Sequence, residues 1–190
     1  MPDAARTAGE RLLDSAAVLL GDATWSDLSM AAVAENAGVS RQTLYNAFGT
    51  RRQLAQALLL REVESFLSDV ETELHAASDD PEAALERAFA AYLRGIEQNP
   101  LVRAIVVDED PDLLALLIEQ GINVVGYASA RLGGAIGALW PQAADADVAL
   151  LSDALVRLAI SFAVFPSSAE RDVAGEIRAL LAPFVLRALA

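Results

Sequence analysis

The chemistry-bearing residues of this chain gather in one short window. The stretch "AENAGVSRQTLYNAFGTRRQL", residues 34–54, carries Arg41, Arg51 and Arg52 with a single acid, Glu35. Hydroxyls and amides lie between them: Ser40, Gln42, Thr43, Tyr45, Asn46 and Thr50. Arginine forks, hydroxyls and carboxamides are the groups that bind phosphates and base edges. The placement of the arginine pair sharpens the point. Thr50 followed three residues later by Gln53 is a capping-box pattern, so a helix is expected to start at Arg51. A helix N-terminus carries roughly half a positive charge, and arginines there are disfavoured by tenths of a kcal/mol each. A phosphate at that point reverses the sign. The pattern therefore predicts a phosphate clamp at Arg51 and Arg52, with the Tyr45 hydroxyl able to reach a neighbouring phosphate.

The rest of the chain makes this window stand out. The 190 residues carry a formal net charge of −13, and every basic residue other than the one histidine is arginine. Residues 37–61 hold Arg41, Arg51, Arg52 and Arg61 and no acid at all. Bulk charge argues against indiscriminate polyanion binding, so attraction is confined to this segment. Nothing points to an enzyme. There is no cysteine and one histidine, His75, expected at the exposed end of a long helix. No P-loop, no G-x-G-x-x-G and no placeable Ser/His/Asp arrangement occurs, and no cofactor or metal is implied. "DEDPD", residues 108–112, lacks calcium-loop spacing and reads as a solvated acidic turn.

The elements that must position the window are helical. Apolar spacing predicts helices over 8–20, over "MAAVAENAG" after the cap Ser29, over "RQTLYNAF" after the cap Ser40, and over 51–77 after the cap Thr50. Pro81 opens the next helix. Pro100 and Pro111 frame "LVRAIVVDED", one helical turn or an extended piece. "PDLLALLIEQ" and "GINVVGYASARLGGAIGALW" follow as separate segments. Residues 145–165 and 169–190 form the last two helices, the second capped by Ser167 or Ser168 and kinked or broken by Pro183. About nine helices and no sheet are expected: an all-α chain. Apolar density over 121–139 and 148–165 is high, but Arg131, Asp153 and Arg157 interrupt it, so these segments read as buried helices and not as membrane spans. No secretory signal is visible, and the cytoplasm is the expected compartment.

Two short helices joined by "AGVS" form a helix-turn-helix pattern. Gly38 suits the tight turn, Ala37 allows close approach and Val39 plugs the gap. Val33, Ala34, Leu44 and Phe48 supply the apolar contacts. A plain helical hairpin with a polar face reads the same way; the arginine pair favours nucleic acid.

These residues resemble the DNA-binding domain of TetR-family transcriptional regulators. The family elements are present as Ser29-Met30, Val33-Ala34, Ala37-Gly38-Val39-Ser40, Leu44-Tyr45-Asn46-Ala47-Phe48 and Gly49-Thr50-Arg51-Arg52-Gln53-Leu54. The likeness covers residues 8–60. It departs at Arg52, where an acid is common, and at "GDATWSDLSM", where Trp25 is expected to cover the core beneath the first helix. The resemblance implies a helix-turn-helix domain at 1–50 and an effector-binding and dimerisation domain at 51–190, connected by the long helix. It implies a ligand-responsive regulator, a repressor, that binds a palindromic double-stranded operator as a homodimer through its last two helices. DNA would meet Ser29, Ser40, Arg41, Gln42, Thr43, Tyr45, Asn46, Thr50, Arg51 and Arg52. An unknown small, mainly hydrophobic effector would sit among Phe89, Tyr92, Tyr127, Arg131 and Phe162, with Trp140 a further aromatic of the same kind. Core packing is the competing reading for each aromatic. Arg94, Arg103 and Arg131 could pair an acidic ligand or the acids at 108–110. Close packing is the expected role of Gly133, Gly134 and Gly137. A helical protein-interaction module without DNA binding is the alternative function.

Overall fold

The computed structural model describes residues 7–167 and 171–189. Among them are nine α-helices and no strand: α1 Ala8–Asp22, α2 Met30–Asn36, α3 Arg41–Phe48, α4 Arg51–Ala76, α5 Pro81–Glu97, α6 Pro100–Val106, α7 Pro111–Leu139, α8 Asp145–Val164 and α9 Val173–Leu189. Contacts divide the chain into two compact units, Met1–Glu62 with Asn99–Glu119, and Val63–Gln98 with Gln120–Ala190. The first unit thus takes in a segment, 99–119, that lies far along the sequence from the helix-turn-helix.

Short polar caps fix where the helices of the first unit begin. Thr7 and Glu10 form a capping box on α1. Ser29 Oγ accepts from the Ala32 N–H on α2, and Ser40 Oγ from the Thr43 N–H on α3. Thr50 and Gln53 exchange backbone-to-side-chain bonds of 3.0 and 3.2 Å at the start of α4. Such caps stabilise a helix by about 1 kcal/mol each. The core beneath them consists of Leu12, Leu20, Trp25, Val33, Leu44, Leu54 and Leu58, with Leu101, Ala104, Leu113 and Leu116 from the 99–119 segment. Fully burying one such leucine stabilises by about 1.5–3 kcal/mol. Trp25 lies in this core, as its place in the sequence suggested.

Three sequence expectations are corrected here. The segment after Pro100 is a helix, because Asn99 caps it with two bonds, to Leu101 and Val102 N–H. Residues 111–139 form one helix through Gly121, since an interior glycine costs only about 1 kcal/mol and leaves the N–H ladder intact. α9 is not broken at Pro183 but runs through it, the proline removing a single donor from the ladder. The alternative cap Ser168 and the start at Ala169 lie outside the described residues.

The second unit packs α5 against α9 and α8 around Leu85, Phe89, Leu132, Ile136, Trp140 and Leu155. Arg178 on α9 pairs with Glu86 on α5 at 2.9 Å. The Trp140 indole N–H donates to the Ser78 carbonyl at 3.1 Å, so this aromatic is a core residue. α7 is long and apolar enough to cross a membrane by length and composition. It is not the buried helix its apolar density predicted: Ile122 is 87% exposed, and Ile118 is similarly open.

Candidate nucleic-acid interface

The turn between α2 and α3 is built by backbone bonds. Gly38 sits at φ 65° and its N–H donates to the Glu35 carbonyl at 3.0 Å; the Val39 N–H returns to the Ala34 carbonyl at 3.0 Å. The positive φ is the conformation glycine adopts without strain. Ser15 Oγ on α1 donates to the Val33 carbonyl at 2.9 Å, which fixes α2 on α1 through a buried bond. α3 then buries Leu44 fully, packs Phe48 partly against the same core, and turns its polar side chains outward.

Its outward face is polar and partly pre-ordered. Ser40 and Thr43 hydroxyls lie 2.9 Å apart. Gln42 Nε2 donates to Asn46 Oδ1 at 2.9 Å, so the two carboxamides form a tethered pair one turn apart. Tyr45 is half exposed, and Arg41 is exposed with no acidic partner among the described residues. Ser29 and Thr50 are exposed at the starts of α2 and α4, each engaged in its cap. The structure therefore brings Ser40, Arg41, Gln42, Thr43, Tyr45 and Asn46 onto one short helix. Those groups match the donors and acceptors of the major groove and its phosphates.

The arginine pair behaves differently from expectation. Arg51 is half-buried; its Nη2 donates to the Trp25 carbonyl, and its guanidinium stacks 4.8 Å from the centre of the Trp25 ring. Its Nε is buried with no hydrogen-bond partner among the described residues. Arg52 pairs with Glu119 on α7. The local misfit of two arginines at a helix start is thus relieved inside the chain, by a carbonyl, an indole face and a carboxylate. Arg61 is taken as well, by Asp14 at 2.9 Å and Glu62 at 3.2 Å. Sequence reasoning missed Glu119 because it lies 67 positions from Arg52. The Trp25–Arg51 contact left a weaker signal: an indole and an unexplained arginine in one small domain.

The reading of the acidic turn is corrected at Asp110, while Asp108, Glu109 and Asp112 are exposed as expected. Asp110 is buried; its Oδ1 accepts from the N–H groups of Asp112 and Leu113, and its Oδ2 accepts from the Ser26 hydroxyl at 2.8 Å. It caps α7 and is not a solvated charge. Arg103 donates to the Leu20 carbonyl and pairs with none of the acids at 108–110.

The residues expected around an effector separate into two groups in the second unit. Phe89 meets Phe162 edge-to-face at 6.0 Å and Tyr92 at 6.1 Å. The Tyr92 hydroxyl donates to the Ala159 carbonyl at 2.9 Å, and burial pushes its ionisation above the ordinary range. Tyr127 and Arg131 sit elsewhere, with their polar groups filled. The Tyr127 hydroxyl donates to Glu64. Arg131 holds Glu71 bidentately at 2.7 and 2.9 Å and also pairs with Glu64. The Glu71 hydrogen bonds, first among its neighbours, raise the Arg131 pKa. A groove of about 570 Å³ lies between α7 and α8, lined by Ser129, Gly133, Gly134, Gly137, Asp145 and Ser152 among others, and by none of those five. Close packing describes Gly133, where an added Cβ would meet Ser152 Oγ at 3.2 Å, but Gly134 and Gly137 face open space.

A helix-turn-helix with an outward polar recognition helix, on an all-helical chain, defines a DNA-binding regulator. Comparison with known proteins specifies which kind. Residues 12–58 match the model of bacterial regulatory proteins of the tetR family, and residues 80–183 match the C-terminal domain of bacterial tetracyclin repressor. The chain is 35% identical over 179 residues to the HTH-type transcriptional regulator AlkX of Mycobacterium tuberculosis, covering 94% of this chain and 85% of that one. It is similar in structure to the TetR-family repressor AlkX from a Dietzia species, which is implicated in biodegradation of n-alkanes: TM-score 0.83, 30% identity, 96% and 97% of the two chains. A TetR-family regulator from Streptomyces coelicolor gives a TM-score of 0.64 at 27% identity, over 96% of this chain and 100% of that one. The chain belongs to the TetR family of transcriptional regulators, and it is not an enzyme.

Proposed function

We propose that the protein is a repressor that binds a near-palindromic operator as a homodimer and leaves it when a small apolar effector occupies the second unit. The observation that carries this reading is the outward face of α3. It places an arginine with no acidic partner among the described residues, two hydroxyls and a tethered Gln42–Asn46 pair on one helix, in a chain that is otherwise acidic. Ser29, Thr50 and Tyr45 flank that face and reach phosphates; Arg41 and Gln42 read bases. Arg51 acts from behind, by holding Trp25. Residues 1–50 serve DNA and 51–190 serve the effector and the dimer, except that 99–119 complete the core of the DNA-binding unit. Cytoplasmic location follows from that role.

Support for the dimer comes from exposed leucines on the last two helices, Leu150 on α8 with Leu180 and Leu186 on α9. Support for the effector class comes from the similarity to a repressor implicated in n-alkane biodegradation and from the apolar interior around Phe89, Tyr92 and Phe162. An alkane-derived molecule would part that trio. Tyr127 and Arg131 are assigned to holding α7 against α4 within the second unit.

Selection of binding sites from random duplex DNA with purified protein tests the reading. Enrichment of an inverted repeat is expected, and Arg41→Ala should change the preferred bases. Recovery of no enriched motif overturns it.

A further inference from the structure

We propose that Glu119 sets the DNA affinity of this protein by occupying Arg52, so that Glu119 and an operator phosphate compete for one guanidinium. This rests on the DNA-binding reading of α3. Arg52 is the second residue of α4, two positions after the cap that follows α3. Both members of the pair are solvent-accessible, 54% for Arg52 and 56% for Glu119. An exposed ion pair contributes about 0–1 kcal/mol, so Arg52 can leave Glu119 at little cost. Side chains in the first turn of a helix lean toward its N-terminus. Released from Glu119, Arg52 extends past Thr50 toward the end of α3, the side that meets DNA.

The neighbouring charges make Arg52 the residue to watch. Arg51 is committed to Trp25, and Arg61 to Asp14 and Glu62. Arg41 has no acid to exchange among the described residues. Arg52 alone of these four combines an exposed guanidinium with an exposed acidic partner. A carboxylate there is an internal stand-in for phosphate. It lowers the gain from the Arg52–phosphate contact, because the carboxylate left behind must recruit a cation when Arg52 moves.

The test is a double-mutant cycle with the full chain and its selected duplex. Fluorescence anisotropy is recorded over a salt series for wild type, Glu119→Gln, Arg52→Ala and the double variant, with thermal melts as a control for folding. Glu119→Gln should bind about two- to fivefold tighter at fixed salt, the gain an exposed pair of up to about 1 kcal/mol allows, with a salt slope steeper by up to about 0.9. Arg52→Ala should erase that gain. If Glu119→Gln binds like wild type, or if the double variant keeps the gain through bulk charge alone, the proposal is overturned. A wild type that binds no selected duplex overturns the DNA-binding reading instead, and this proposal with it.

Discussion

At the scale of single residues, Arg51 shows how the same side chain serves two readings. Charge and spacing cast it as a phosphate clamp; its contacts also hold the Trp25 carbonyl and ring, the place of a strut for that loop. A partly desolvated cation–π contact and a charged hydrogen bond together are worth about 1–3 kcal/mol. Arg51→Ala should therefore lower unfolding stability by roughly that amount in urea titration, and weaken DNA binding alike on every sequence. Arg51→Lys should recover only part of the loss, because a lysine lacks the planar fork and stacks poorly. Wild-type stability in Arg51→Ala, with DNA affinity still reduced, would restore the clamp. The type of Arg51 was legible in the sequence, but its partner was not, since a carbonyl at residue 25 has no sequence signature.

At the scale of elements, caps and turn glycines were readable because their chemistry is local. Ser29, Ser40 and Thr50 each sit within three residues of the N–H they satisfy. Gly38 and Gly49 both end helices at positive φ, yet their surroundings differ. A Cβ at Gly38 meets open space, whereas one at Gly49 would lie 2.6 Å from Gln53 Oε1, the acceptor that completes the α4 cap. Gly38→Ala should cost only the left-handed strain, about 1–2 kcal/mol. Gly49→Ala should cost more, because φ 67° with ψ −66° lies outside even the left-handed well and because displacing the cap adds about 1 kcal/mol. Denaturant melts of the two variants check the order; equal losses would mean Gln53 moves aside freely. The short helix after Pro100 was harder to read, because seven residues carry too few turns for a periodicity to show.

At the scale of the whole molecule, net charge and dimerisation are the properties to test. The proposed function has the acidic total confine attraction to DNA to one face and a second copy bind at the exposed leucines of α8 and α9. In a two-fold dimer one substitution acts twice. Leu180→Glu or Leu186→Glu should raise the dimer dissociation constant by at least about a hundredfold, at roughly 1.5–3 kcal/mol per leucine lost. Light scattering after size exclusion reads the result. A variant that stays dimeric at low concentration would move the seam away from α9.

By itself the sequence determined the helical class, the caps Ser29, Ser40 and Thr50, the helix-turn-helix and the residues of the α3 face. Each depends on neighbours within about one turn, where spacing and side-chain type are sufficient. Only the tertiary structure decided that residues 99–119 complete the first core, that Arg131 belongs to Glu71 and Glu64, and that Arg51 and Arg52 already have partners. Those outcomes join residues tens of positions apart. The chain fold chooses such pairs by packing whole faces together, and a charged side chain takes whichever opposite group that packing brings within reach.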